Sequence, residues 1–336
     1  MNVVITGGAG FLGRRLAERL LRRGTLAGPD GKAAEIESLT LFDAVAPLPP
    51  LAADKRVRLV RGDIADRVAV AAAIGPGTAS VFHFAAVVSA EAEADTDKGL
   101  RVNLDGTRAV LEACRALGTA PRLIFASSLA VYGGALPPVV NDDTPLRPQT
   151  SYGAAKAMGE LLVNDWSRKG YVDGRCLRFP TIVVRPGRPN RAASTWASSI
   201  FREPLAGEDT VCPVTRGTVM AILSPRRALE AALLVHDLPA ARLGGERSLL
   251  LPAISVTVDE MLAALGRAGG ATSLGRIRWQ PDPMVQAIVD GWPRALAAAR
   301  ARALRIAPDP DIYAIVAAFV EDDLAAQRTL ARATAG

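Results

Sequence analysis

The start of the chain constrains its fold most tightly. Asn2-Val3-Val4-Ile5-Thr6 is a short apolar run that reads as a buried strand, and Gly7-Gly8-Ala9-Gly10 follows at once. From Phe11 to Arg23 the residues Leu12, Leu16, Leu20 and Leu21 recur at helical spacing. In this strand, turn and helix each glycine has a task. Gly7 permits the tight turn, Gly10 lets a pyrophosphate approach the backbone without a Cβ in the way, and Gly13 lets the helix pack closely on the strand. The amides opening the helix, at Phe11 and Leu12, point unpaired N–H groups and a positive dipole end at whatever lies before them, which favours phosphate. An ordinary glycine-rich turn has the same appearance, so the next acidic residue carries weight. Asp43 ends the apolar run Leu39-Thr40-Leu41-Phe42, where a ribose-binding carboxylate is expected. It comes later than the usual spacing of roughly 20 residues because Gly24 to Glu37 reads as an inserted loop or hairpin. A carboxylate there accepts from both ribose hydroxyls and repels a 2′-phosphate, so NAD is favoured over NADP, a preference that Arg14 and Arg15 soften.

Further along, Val57 to Ile64 reads as a strand ending in Gly62-Asp63, followed by a helix from Asp66 to Ile74. Asp63 either accepts from an adenine amino group or caps that helix. Ala79 to Ala86 is a buried strand whose last residues, Ala85 and Ala86, leave room for a flat ligand at its carboxyl end. His83 within it reads as a satisfied core histidine and is given no chemistry. Thr96 to Leu117 has helical periodicity and contains Asn103, a polar amide that can face the ligand edge. Pro121 to Ser128 is a fifth strand, Gly133 to Thr150 a loop, Ser151 to Arg168 a long helix and Arg175 to Val184 a sixth strand. Alternation of this kind specifies an α/β fold with a doubly wound parallel Rossmann sheet. Residues 1–184 form the expected NAD-binding domain. Residues 185–336 form a smaller α/β substrate lobe, with helices expected at Ala192–Phe201, Ser224–His236, Val258–Arg267 and Ile312–Leu324.

Length and composition limit the remaining possibilities. A chain of 336 residues that is 49% hydrophobic can bury two lobes. Its net charge of +6 is scattered among acids with no long basic run, so nucleic acid is not an expected partner. Cys114, Cys176 and Cys212 are far apart and not in metal spacing, which points to a reducing, cytoplasmic setting and no metal site. No apolar run approaches the length of a membrane span.

The chemistry is expected at Ser128, Tyr152 and Lys156. Tyr and Lys four residues apart share a helix face, so an ammonium can sit beneath the phenol. A free Tyr titrates near pKa ~10 and is a poor base at neutral pH. A neighbouring ammonium and a positive nicotinamide ring both favour phenolate. Ser128, ending a strand, can bond the same substrate oxygen. Together the three would remove a hydroxyl proton while hydride leaves for NAD⁺, or run the reverse.

Thr6 to Gly13, Asp63-Ile64, His83 to Ala86, Asn103, the run from Ser127 to Gly133, and Tyr152 with Lys156 together resemble the extended short-chain dehydrogenase/reductase family, which includes NDP-sugar epimerases and dehydratases. The resemblance covers about residues 1–185. It implies that the backbone of Phe11 and Leu12, with Asp43, Asp63, Ile64, Ala85, Asn103 and Pro180, contacts NAD, and that the protein is a homodimer formed through the helices near Asn103 and Lys156. Two departures matter. Leu129 and Ala130 stand where sugar-nucleotide dehydratases place an Asp-Glu pair, and neither moves a proton, which argues against a dehydratase. Thr181 stands where many sugar-nucleotide enzymes have Asn, which argues against a nucleotide-sugar substrate. The stretches Pro180–Asn190, Phe201–Gly207 and Leu251–Val258 are similar to a branch that oxidises the 2-hydroxyl of a four-carbon sugar acid with NAD. A small hydroxy acid needs a carboxylate anchor, and Arg185, Arg188 and Arg202 are the candidates, each with a structural ion pair as its alternative. Ser89, Ser127, Thr181 and Asn190 are candidates for substrate hydroxyls. An NDP-sugar 4-epimerase, and a non-catalytic dinucleotide sensor, remain the competing readings.

Overall fold

The computed structural model describes residues 1–28, 30–45, 51–189, 192–270 and 274–335. Strands β1 (Asn2–Thr6), β2 (Ser38–Asp43), β3 (Val57–Arg61), β4 (Thr78–His83), β5 (Arg122–Ser128), β6 (Asp173–Phe179) and β7 (Ser248–Leu250) form one sheet in the order β7-β6-β5-β4-β1-β2-β3. The pairs β1–β2, β1–β4, β2–β3 and β4–β5 are parallel, with Val4 opposite Thr40 and Val81. The order reverses at β1, between β2 and β4, and a ligand crevice is expected outside the strand ends at such a switch. Interior strands buried on both faces need continuous apolar sequence, and Val3, Val4, Ile5, Leu39 and Leu41 are all almost fully buried.

The chain divides into two compact units. One comprises residues 1–131, 148–178 and 229–249; the other comprises 132–147, 179–228 and 250–336. The first holds the sheet and the helices α1 (Phe11–Arg23), α2 (Arg67–Ala73), α3 (Ser89–Ala94), α4 (Thr96–Leu100), α5 (Gly106–Ala116) and α6 (Ser151–Arg168). The second has its own core of Val183, Trp196, Phe201, Met220, Ile222, Met261 and Phe319 among others. It contains α7 (Thr195–Ala206) and a three-stranded sheet in which 219–223 lies between 181–182 and 254–257.

Several elements differ from the sequence reading. The inserted stretch after α1 does take one of its two expected forms, a hairpin of Thr25–Ala27 antiparallel to Ala33–Glu35. Asp66, not Asp63, caps α2, accepting from the amides of Val68 and Ala69. The helix expected from Thr96 to Leu117 is interrupted by a π-turn at Arg101–Asp105, which carries Asn103. The strand expected from Arg175 to Val184 stops at Phe179, because Pro180 offers no N–H to a ladder; Thr181-Ile182 instead pairs with Ile222-Leu223. Helix α7 runs on to Ala206 despite Pro204, which falls in its last turn ahead of the left-handed cap Gly207. The helix expected over Ile312–Leu324 ends at Asp322, and a further helix that was not expected, Leu324–Ala335, follows it.

Candidate active site

Five parallel strands bring the expected residues of the first unit to one edge. At the end of β1, Gly7 has φ +73°, and a Cβ there would stand 2.7 Å from the amide nitrogen of Ala85. Gly10 is the extended N-cap of α1 and supplies no side-chain cap, so the opening amides of Phe11, Leu12 and Gly13 have only backbone or ligand to turn to. Gly13 lies against the turn itself, where an added Cβ would be 2.1 Å from the Gly7 carbonyl oxygen. Replacing Gly13 by Ala is therefore expected to push α1 away from the turn and abolish NAD binding in a fluorescence titration; full affinity in a folded G13A protein would show that the turn can relax.

Asp43 ends β2 with both oxygens anchored. Oδ2 accepts from the Ala9 amide at 3.0 Å and Oδ1 from the Val45 amide at 3.2 Å. The carboxylate thus fixes the glycine-rich turn and keeps further lone pairs for ribose hydroxyls. Asp63, just beyond β3, is exposed and takes hydrogen bonds from Arg101 and from the Ala65 amide, which hold its carboxyl below the usual carboxylate range. The Ile64 side chain is buried in the core, where a Cβ on Gly106 would lie 2.8 Å from it, so only its backbone is available to a ligand.

Beneath this edge runs a buried chain of hydrogen bonds that sequence reasoning did not find. Thr107 donates to the Asn103 carbonyl at 2.7 Å, so its oxygen accepts from Nε2 of His83 at 3.0 Å. Nδ1 of His83 then accepts from the Thr6 hydroxyl at 2.6 Å, and the Thr6 oxygen receives the Ala85 amide at 3.4 Å. Only one tautomer satisfies every partner. Burial, and then the Lys156 charge, push His83 down to about 3, so the imidazole is neutral. The side chain of Asn103 does not face an open edge: it accepts from the Val87 amide at 2.9 Å and donates to the Val87 carbonyl at 3.1 Å. It holds the loop after β4 that carries Ala85, half-buried, and Ala86, exposed. A side chain doubly bonded to one backbone unit was not legible from a polar residue in an amphipathic helix.

Lys156 is 2% exposed on α6. Its Nζ donates to the Ala126 carbonyl at 2.7 Å, lies 4.8 Å from the centre of the Phe125 ring and 5.6 Å from that of Tyr152. Burial lowers its pKa to about 8, against the raising influence of the Glu160 carboxylate, so it is still an ammonium at pH 7. The helix reaches the strand this closely because Gly153 and Gly159 face it. A Cβ at 153 would lie 2.1 Å from the Ala130 carbonyl oxygen, and one at 159 would lie 2.6 Å from the Phe125 ring. Thr150 caps α6 by accepting from the Gly153 amide. Ser128 ends β5, half-buried, its Oγ accepting from the Ala130 amide at 3.1 Å while its proton remains available to donate. Ser127 points the other way, because strand side chains alternate: it is 3% exposed and bonded to Glu160, which removes it from the expected substrate contacts. Ser89 opens α3 and is half-buried.

The remaining candidates belong to the second unit. Pro180 is buried, and Thr181 is half-buried in its short strand. Arg185 donates from its amide to Ser198 at 3.0 Å and from its guanidinium to Ser194 at 3.1 Å. Arg202 is 2% exposed, and its guanidinium donates to Glu203, to Ser199 and to the Arg185 carbonyl; the structural alternative describes it. Arg188 is exposed, and Asn190 lies outside the described residues. No cluster of His, Cys, Asp and Glu suited to a metal ion is found among the described residues, and no described helix is long and apolar enough to cross a membrane.

An uncapped helix start behind a turn that a Cβ would block, a carboxylate ending the next strand and small residues ending the fourth form a dinucleotide cradle. The pattern extends to sequence. Residues 3–220 match the NAD dependent epimerase/dehydratase family, and the chain belongs to that family. NAD is the family's cofactor, and the residues present fit it. The chain is 53% identical over 322 residues to the D-erythronate dehydrogenase of Cupriavidus necator, covering 96% of this chain and 98% of the relative. It is 41% identical over 324 residues to the D-erythronate dehydrogenase of Haemophilus influenzae, covering 96% and 100%. Among solved structures, one described as a nucleoside-diphosphate-sugar epimerase from Agrobacterium tumefaciens superposes with a TM-score of 0.88 at 37% identity, over 97% of this chain and 95% of that one.

Proposed function

We propose that this chain is an NAD-dependent dehydrogenase that oxidises the 2-hydroxyl of D-erythronate to the 2-keto acid, with Ser128, Tyr152 and Lys156 as its catalytic residues. The observation that carries the reading is the ammonium of Lys156 held under the Tyr152 ring beside the end of β5, in a chain that aligns almost end to end with two D-erythronate dehydrogenases. Tyr152 as phenolate takes the hydroxyl proton, Lys156 stabilises that phenolate, and Ser128 donates to the substrate oxygen. NAD⁺, when held by the cradle, would supply the acceptor for the C2 hydride, so that the balance is the 2-keto acid, NADH and a proton. The cradle residues Gly7, Gly10, Phe11, Leu12, Gly13, Asp43, Asp63, Ile64, Ala85 and Ala86 would hold the cofactor, with Asn103 shaping the cradle through Val87; the resemblance also assigns Pro180 to the cofactor. Arg185 and Arg188, with Thr181 and Ser89, are the groups left for the substrate's carboxylate and hydroxyls once Arg202 and Ser127 are assigned to the framework.

A dehydratase would need an acid and a base after Ser128, but Leu129 and Ala130 occupy a short 3-10 turn there. A 4-epimerase of nucleotide sugars is the second reading, favoured by the description of the Agrobacterium structure. The two are separated by net NADH. With D-erythronate and NAD⁺, absorbance at ~340 nm is expected to rise until substrate is consumed, whereas an epimerase returns its hydride and leaves the signal flat. A flat trace on D-erythronate and related C4 to C6 aldonates would end the dehydrogenase reading. We further read the protein as a homodimer through α4, α5 and α6, supported by Leu161, 68% exposed on α6, and Leu100, 37% exposed on α4. The three cysteines are buried and unpaired, which suits a cytoplasmic location.

A further inference from the structure

Glu160 is a buried acid that the proposed chemistry leaves without a task. It is 2% exposed and lies four residues beyond Lys156 and eight beyond Tyr152, on the same face of α6. One of its oxygens accepts from the Ser127 hydroxyl. Both accept from Arg178 on β6, with Nε at 3.0 and 3.1 Å and Nη2 at 2.7 Å. A buried ion pair contributes little stability that apolar side chains would not match, so its presence beside the site calls for another account. Its location supplies one. Ser127 stands between Ala126, whose carbonyl holds the Lys156 ammonium, and Ser128.

We propose that Glu160, through Ser127 and Arg178, is a positioning residue for the reaction: it ties the end of β5 to α6 so that Ser128 and Tyr152 meet on one substrate oxygen, and it places a carboxylate one helical turn from the Lys156 ammonium. This deepens, and rests on, the dehydrogenase reading. The groups facing Lys156 from each neighbouring element agree with it. From β5 come a neutral ring and a carbonyl, Phe125 and Ala126. His83 on β4 is neutral, and burial raises the Cys176 thiol on β6 far above its ordinary range, so it carries no charge at neutral pH. Arg178 is positive. Among the described residues shown near Lys156, Glu160 is the anion, and it acts to raise the Lys156 pKa.

The test uses the full-length protein with Ser127→Ala, Ser127→Thr and Glu160→Gln. Turnover of D-erythronate is followed against pH, NAD⁺ affinity by tryptophan fluorescence, folding by thermal melting, and the Lys156 titration by NMR of ¹⁵N-lysine-labelled protein. Lysines are few (Lys32, Lys55, Lys98, Lys156 and Lys169), so that resonance is readily assigned. Ser127→Ala is expected to lower kcat by about tenfold, with NAD⁺ affinity and melting temperature close to wild type, since a displaced catalytic pair loses rate without losing binding. Ser127→Thr, which restores the hydroxyl, is expected to recover most of that loss. In Glu160→Gln the alkaline limb of the rate profile and the NMR midpoint of Lys156 are both expected to move to lower pH by roughly half a unit or more. Wild-type kcat in Ser127→Ala, an unmoved Lys156 midpoint in Glu160→Gln, or a rate that falls only in step with the folded fraction overturns the proposal. Should Glu160→Gln fail to fold, the Ser127 pair decides alone. A wild-type protein that makes no NADH refutes the dehydrogenase reading instead, and the Lys156 midpoint then still tests the charge.

Discussion

Replacing Tyr152 by Phe is expected to lower kcat by roughly a hundredfold or more, the usual consequence of deleting an acid–base group. The substitution removes one oxygen and leaves the ring that lies 5.6 Å from the Lys156 ammonium, so the packing of α6 on β5 is preserved. NAD⁺ affinity should be unchanged, because the glycine-rich turn, Asp43 and the loop held by Asn103 do not involve the phenol. No other described group is placed to take over: His83 is neutral with both nitrogens committed, and Lys156 donates to the Ala126 carbonyl. The measurement is NADH formation under saturating D-erythronate alongside NAD⁺ titration. Turnover at the wild-type rate would remove Tyr152 from the mechanism; loss of both turnover and NAD⁺ binding would place it in the cradle instead.

Replacing Arg178 by Met is expected to destabilise the fold by about 3–5 kcal/mol, the range for breaking one partner out of a buried ion pair. Glu160 would keep the Ser127 hydroxyl but lose the guanidinium that bonds both its oxygens. The pH dependence supplies a signature. An unpaired buried carboxylate has its folded-state pKa raised above the unfolded value, so its protonated form favours folding; that contribution is present at low pH and lost as pH rises through the raised value. The stability gap between R178M and wild type, from urea unfolding, should therefore narrow as pH is lowered from 7 to 5. A gap that stays constant would mean that Glu160 is not the uncompensated charge. Combining Arg178→Met with Glu160→Gln should restore part of the lost stability.

The residues that revealed most in the sequence are those whose role is local. Gly7, Gly10 and Gly13 act within one turn, and Tyr152 and Lys156 within one helix, so spacing alone shows which residues share a face. The parallel, doubly wound character of the sheet followed from regular alternation of apolar runs and helical periods, whereas the order of its strands came from the structure. What the sequence concealed was set by partners far along the chain. Ser127 and Ser128 are adjacent and chemically identical, and only the pairing of β5 decides which one faces Glu160. Asn103 sits in a π-turn with its side-chain amide committed to Val87, a contact no periodicity reports. Arg202 looked like a substrate anchor by its charge, yet Glu203 and Ser199 occupy it. Pro180 did carry a signal, the loss of a ladder donor, which ends β6 at Phe179, short of the expected Val184.

The hydrogen bond from the Ala9 amide to Asp43 restricts how this protein could change coenzyme. Exchanging that carboxylate for a neutral or basic residue, the obvious first step toward accepting a 2′-phosphate, would also unfasten the peptide that shapes the phosphate-binding bend. Fidelity to NAD is thereby guarded by architecture as well as by charge repulsion, and a lineage drifting toward the phosphorylated coenzyme would need a second alteration that re-pins residue 9 before the first became tolerable.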